Sequence, residues 1–419
     1  MKTILLVAVK VISWLLLFAA IGAGAWFLAQ WRGWPQWAAV AVGLGAAGLI
    51  VGTVFLKRWW LRRRERQFVK RVVEEDTAAI SASQGERARL MRDVEDRFAK
   101  AVEILKASQL RREGDPVYVK PWHLVMGEMG SGKSLALRRA KLSSILTDVG
   151  QERLPAPTRN VDFWFSDEAV IMDTAGRYAI PLDEARDREE WERFLALLVK
   201  HRRKEPLNGL VLAIAADKAA DAADDVLVEY AKGLRRRVNE LMRVIGAKFP
   251  VYVMVTKMDH ILGMNGLVDQ LDDQALKQAM GAVNDNTLRP AANSLEEGLA
   301  RVVSRLKDLR VILPCDTQSM DPAYLMLPGE LSRLGERLKL FVGALFAENP
   351  YLETPLYRGI FFVSARQEGQ AHVMEAGLTD VAAQLSERAA TERGAFLHDV
   401  FSRFLPADRN LFTPMLEFL

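Results

Sequence analysis

Cysteine is almost missing from this chain. One residue, Cys315, stands among 419, so no internal disulfide forms and no thiolate metal site can be assembled. Histidine is scarce as well: His123, His201, His260, His372 and His398 are scattered, with no zinc-ligand spacing. A reducing, cytoplasmic setting fits the soluble part. Net charge is only +4, and much of the excess comes from one run, K-R-W-W-L-R-R-R-E-R at 57–66. A diffuse nucleic-acid surface is therefore not indicated, and no nucleic-acid partner is expected. Internal repeats and low-complexity linkers are also absent. Charge is thinnest at the start, where the first 56 residues carry only Lys2, Lys10 and Arg32.

That stretch holds two apolar segments, 11–30 and 36–56, each long enough at the helical rise to cross a hydrocarbon core. W-R-G-W-P between them leaves room only for a tight turn. Trp26, Trp31, Trp34 and Trp37 gather at this turn, and Trp59 and Trp60 follow the second span, where interfacial aromatics belong. A signal peptide is the competing reading of the first segment; its length and the span that follows at once argue against it. Lys57, Arg58, Arg62, Arg63, Arg64 and Arg66 lie just beyond the second span. The positive-inside rule keeps that cluster in the cytoplasm. The expectation is a membrane hairpin over 1–66 with both termini cytoplasmic.

From 67 to about 112 the pattern turns helical, with Leu90, Val94, Phe98, Val102 and Leu105 on one face. A helical linker is expected over 67–115. Strands then alternate with helices. Strands are predicted at 117–126, 161–165, 168–173, 209–216, 251–256 and 359–364, and helices at 133–146, 187–202 and 223–244. This alternation predicts an α/β fold: a mostly parallel sheet with helices on both faces. Residues 116–259 and 359–370 form that P-loop, G-like domain, 260–358 a helical insertion with its own lobe, and 371–419 a helical C-terminal extension.

Four motifs carry chemistry. G-E-M-G-S-G-K-S at 127–134 follows one predicted strand and opens a helix. Gly127, Gly130, Ser131 and Gly132 let successive backbone N–H groups turn inward around phosphates. Lys133 would reach the β- and γ-phosphates, and the Ser134 hydroxyl would ligate Mg²⁺. D-T-A-G at 173–176 ends a strand, placing Asp173 to hold that magnesium and the Gly176 N–H to sense a γ-phosphate. T-K-M-D at 256–259 follows another strand; Asp259 would accept the N–H groups of a guanine edge and the Lys257 stem would lie along the base, with Thr256 opening the motif. S-A-R at 364–366 (Ser364, Ala365, Arg366) offers a backbone N–H to the guanine oxygen. Thr158 is a candidate switch residue and third magnesium ligand.

The order of these motifs favours GTP, with ATP as the alternative, and Mg²⁺ as cofactor. Two residues depart from a hydrolytic pattern. Glu128 puts an acid inside the loop, and Arg177 stands after D-T-A-G where many GTPases place a water-orienting Gln. Binding is expected; turnover, as a slow GTPase or ATPase, is left open.

P-W-H-L-V-M-G-E-M-G-S-G-K-S, V-D-F-W-F-S-D-E-A-V-I-M-D-T-A-G-R-Y, V-T-K-M-D and R-G-I-F-F-V-S-A-R-Q-E-G resemble the TssM/IcmF family. The resemblance implies an inner-membrane component of the type VI secretion system that meets a second inner-membrane subunit and cytoplasmic baseplate proteins in an oligomer. Family members often carry two prolines where Glu128 and Met129 stand, and threonine at Ser134. They also continue through a third span into a periplasmic region. This chain stops at L-F-T-P-M-L-E-F-L, so either a truncated protein or a short relative is expected, and lipoprotein contact is not carried over. The functional reading is a nucleotide-dependent subunit of that complex. The alternatives are an ATP-hydrolysing energy coupler and a scaffold with a vestigial site.

Overall fold

A computed structural model describes residues 86–142, 158, 160–287, 289–313, 322–365 and 393–415. The expected hairpin over 1–66, the linker up to 85, Arg366 and the extension up to 392 lie outside these residues. Among the described residues, no helix is long and apolar enough to cross a membrane.

Helix α1 (Glu86–Ala107) buries Val94, Phe98, Val102 and Leu105, the face that the periodicity predicts. The chain then reaches β1 (Trp122–Met126), the glycine loop and α2 (Lys133–Arg139). Strands β2 (Val161–Phe165) and β3 (Val170–Thr174) precede α3 (Glu184–His201), β4 (Gly209–Ala215), α4 (Asp224–Ile245) and β5 (Pro250–Thr256). Next come α5 (Met264–Gln270), β6 (Met280–Val283), α6 (Ala291–Ile312), α7 (Leu327–Leu345) and β7 (Leu356–Phe362).

Seven strands form one sheet in the order β2-β3-β1-β4-β5-β7-β6. The five inner strands are parallel, and only the edges β2 and β6 run antiparallel. Both faces are covered, and alternation along each strand assigns residues to them. Leu124, Leu212 and Val253 enter one core, while Val125, Val211 and Met254 enter the other. Chain order reverses at β1, which has β3 on one side and β4 on the other. The crevice beyond the carboxyl ends of the strands at such a switch point is where open α/β sheets place ligands. The glycine loop leaves β1 at that point.

The structure differs from the sequence expectation in three places, one of them the helical C-terminal extension, where Thr413–Pro414 instead pairs antiparallel with Ala247–Lys248. The first half of the 117–126 strand is a helical turn, Pro116–Val119, because Asp115 caps the Val117 N–H and Pro116 presets the first helical dihedral. The 260–358 insertion is not purely helical and not a lobe apart. Its strand β6 joins the main sheet against β7, and α7 buries Leu331, Leu334, Leu338 and Phe341, with Phe341 stacked on Tyr230 of α4. Met-Gly-Ala-Val carries no alternation to reveal that strand. Its small residues instead let α6 lie close above it: a Cβ on Gly298 would meet Ala282 Cβ at 2.6 Å.

Candidate functional site

The glycine loop closes with Gly132 in the left-handed region (φ 77°), where a side chain would be strained, and this residue caps α2. Gly127 ends β1 against Ala213, and Gly130 also takes a positive φ. Lys133 is only 5% exposed; its Nζ reaches back across the loop and donates to Glu128 O at 3.5 Å. Burial lowers its pKa, with Asp173 and Glu128 opposing the shift. Ser131 Oγ is buried inside the loop without a hydrogen-bond partner among the described residues.

Asp173 sits near the end of β3, fully buried, beside this lysine. Its Oδ2 accepts from Thr158 Oγ1 at 2.9 Å, and that hydroxyl lies 3.1 Å from Ser134 Oγ. Its Oδ1 is buried and has no hydrogen-bond partner among the described residues. Burial pushes the Asp173 carboxyl up, against the pull of Lys133 and the two hydroxyls. The three metal-ligand residues expected from sequence thus converge. Adjacent ligands of an octahedral Mg²⁺, at about 2.0–2.1 Å each, would stand roughly 2.9 Å apart. The observed separations and the orphaned carboxylate oxygen fit such an ion. No cluster of three His, Cys, Asp or Glu ligands occurs among the described residues, so water and phosphate oxygens would complete the shell.

Gly176 packs directly on the loop: a Cβ there would lie 2.2 Å from Met129 N. The next residue, Arg177, is held by acids. Its Nη2 donates to Glu190 Oε2 at 2.6 Å and its Nε stands 3.4 Å from Asp187 Oδ1, both acids being buried, and its Nη2 also donates to Asn160. Glu128, the acid within the loop, is ion-paired to Lys218, whose Nζ lies 3.9 Å above the Tyr230 ring. Both residues that depart from a hydrolytic pattern are therefore committed to protein partners.

Beside the loop, a cavity of about 200 Å³ is lined by Gly132, Leu135, Thr256, Lys257, Asp259 and Ala365, among others. Thr256 at the end of β5 donates through Oγ1 to Ser131 O, tying this wall to the glycine loop. Lys257 takes a left-handed conformation (φ 54°), and its Nζ pairs with Asp217 Oδ2 at 3.0 Å. Burial raises the Asp217 pKa, but the hydrogen bonds from Lys257 Nζ and the Lys218 N–H overcome it, and the net shift is downward. Asp259 accepts from Ser364 Oγ at 2.7 Å, which joins two of the sequence motifs. His260 stands 3.7 Å from both Asp217 and Asp259.

Asp217, Lys218, Glu190 and His260 escape sequence reading. The available signal for the first two is position: A-D-K at 216–218 directly follows a central parallel strand, at the edge where ligands bind.

Residues 184–418 match the family described as the IcmF-related N-terminal domain. The chain is similar to the type VI secretion system component TssM1 of Pseudomonas aeruginosa, with 31% identity over 358 residues, 80% of this chain and 32% of that protein. It thus spans about a third of the length of that relative. Among solved structures, it is similar to a GTP-binding protein from the archaeon Sulfolobus solfataricus in complex with GDP. There the identity is 17%, over 42% of this chain and 52% of that one, with a TM-score of 0.20. That overlap is too slight to carry an argument.

Proposed function

Because this chain belongs to the IcmF-related family, we propose that it is the nucleotide-binding, cytoplasm-facing part of a type VI secretion membrane complex, anchored by the hairpin expected over 1–66. One observation carries the reading. Lys133, Ser134, Thr158 and Asp173 meet at the switch point of the sheet, next to a cavity walled by Lys257 and Asp259. Oxygen ligands for a hard cation and a separate recess for a base then lie on either side of one glycine loop.

In this reading, Ser134, Thr158 and Asp173 hold Mg²⁺, and Gly127, Gly130, Ser131, Gly132 and Lys133 hold the phosphates of GTP. A bound Mg²⁺ would neutralise phosphate charge. Asp259 accepts from the base edge, the Lys257 stem covers the base, and Ala365 closes the recess. Thr256 braces the loop through its bond to Ser131 O, and Gly176 couples the loop to the D-T-A-G turn by direct backbone contact. The γ-phosphate would act on 158–180, and those segments would change contacts with a second inner-membrane subunit and baseplate proteins. The commitment of Arg177 to Glu190 and Asp187 favours binding over turnover.

The test is Lys133→Ala in a secreting cell. Loss of secretion or of complex assembly at normal protein level is expected. Full assembly and secretion would favour a scaffold whose site is vestigial.

A further inference from the structure

The edge of the sheet away from the glycine loop motif offers a second site. Among the described residues, strand β6 is the last strand of the sheet and pairs on one side only, with β7. Asn284 N donates to Arg358 O at 2.7 Å, and the register runs Val283 opposite Gly359 and Gly281 opposite Phe361. In an antiparallel ladder, hydrogen-bonded residues alternate. Asn284, Ala282 and Met280 therefore bond inward, and the N–H and C=O groups of Gly281 and Val283 point away from the sheet.

Beside that edge lies a cavity of about 660 Å³, lined by Gly281, Val283, Leu309, Phe361, Phe404 and neighbouring side chains. Its volume falls within the roughly 300–1,000 Å³ of ligand clefts. Two arginines of α6, Arg301 and Arg305, also line it, one helical turn apart. Both are exposed, and neither forms an ion pair among the described residues. Asp285, the acid on the rim, stands 3.5 Å from Arg358. Sheet edges are commonly blunted by lysine, proline or a bulge. Met-Gly-Ala-Val has none of the three.

We propose that the outer edge of β6 is a docking site for an extended, acidic peptide segment of a partner protein. The segment adds a strand to the sheet while its carboxylates meet Arg301 and Arg305 and alternate apolar side chains enter the cavity. Main-chain bonds supply affinity in this mode, and side-chain pockets supply specificity. A second copy of this chain is a poorer occupant, because edge-to-edge pairing would bring two such arginine pairs into one groove.

The test uses the full chain and a fluorescein-labelled octapeptide alternating valine with glutamate or threonine. Its control replaces each glutamate by lysine. Saturable binding of the glutamate peptide is expected, roughly tenfold tighter than the lysine peptide, as two exposed ion pairs allow. Arg301→Glu with Arg305→Glu should reverse that order. Val283→Pro should abolish binding while leaving the fold intact, because the Val283 N–H points outward and no ladder bond is lost. Three results would each overturn the proposal: no saturable binding of the glutamate peptide, equal affinity for both peptides, or unchanged binding by Val283→Pro. Self-association that Val283→Pro removes, without peptide binding, would give the edge to a second copy instead.

Discussion

Glu128 in the glycine loop is ion-paired to Lys218, on the first turn after β4, and the ammonium offsets its charge. An acid among phosphate-binding N–H groups would repel its ligand. Here Lys218 neutralises it. Lys218→Ala should weaken GTP binding about fivefold, roughly 1 kcal/mol of unmasked charge at effective dielectric values near a surface. Adding Glu128→Gln to that variant should restore affinity. A titration calorimetry series on the native chain, each single variant and the double variant checks this.

Arg177 predicts a stability effect where a catalytic one is usually sought. Its guanidinium is the partner of two buried acids, Glu190 and Asp187. Arg177→Gln would remove the guanidinium from both, leaving Glu190 with Arg186 and Asp187 with the Leu182 and Asp183 N–H groups, and breaking such buried pairs costs up to about 3–5 kcal/mol. The expected result is a clear drop in thermal midpoint with no gain in GTP turnover, read by calorimetry and phosphate release. A stable variant with faster hydrolysis would contradict this.

Burial raises the Asp173 pKa above its unfolded value. Such a group contributes stability below the unfolded pKa, and that contribution is lost as pH rises through the folded pKa. Ionised Asp173 is thus a liability of the metal-free chain at neutral pH. Asp173→Asn should raise the metal-free thermal midpoint at pH 7 and abolish Mg²⁺-dependent nucleotide binding. Loss of stability with binding retained would refute that role.

His123 lies at the opposite end of β1, fully buried, and burial lowers its pKa from 6.5 to about 4. Between those values the unfolded chain takes up a proton that the folded chain does not. Stability is therefore full above pH 6.5 and falls as pH drops toward 4, by about 3 kcal/mol in total. Denaturant midpoints at pH 7 and pH 4.5 measure this, and His123→Leu should flatten the dependence.

The parts of the site that sequence made legible are those whose spacing is local. Lys133 and Ser134 share one loop, Asp173 closes a strand of buried residues, and each expected strand of the inner sheet is present. Pairings between motifs were not legible, because they depend on which strands become neighbours. Glu128 meets Lys218, and Asp259 meets Ser364, across 90 and 105 residues. Strand β6 was also hidden, since four residues of which only Val283 is β-branched are too few, and too uniformly apolar, to show a period-2 alternation.

Base choice tests the central claim most directly. Equilibrium binding of labelled GTP with Mg²⁺, competed by unlabelled GTP or ATP, should be measured for the native chain and Asp259→Asn. GTP should compete far better than ATP, and Asp259→Asn should lose about tenfold or more in GTP affinity, as expected for hydrogen bonds to a charged acceptor. Equal competition by ATP, with an unchanged affinity in Asp259→Asn, would contradict the account.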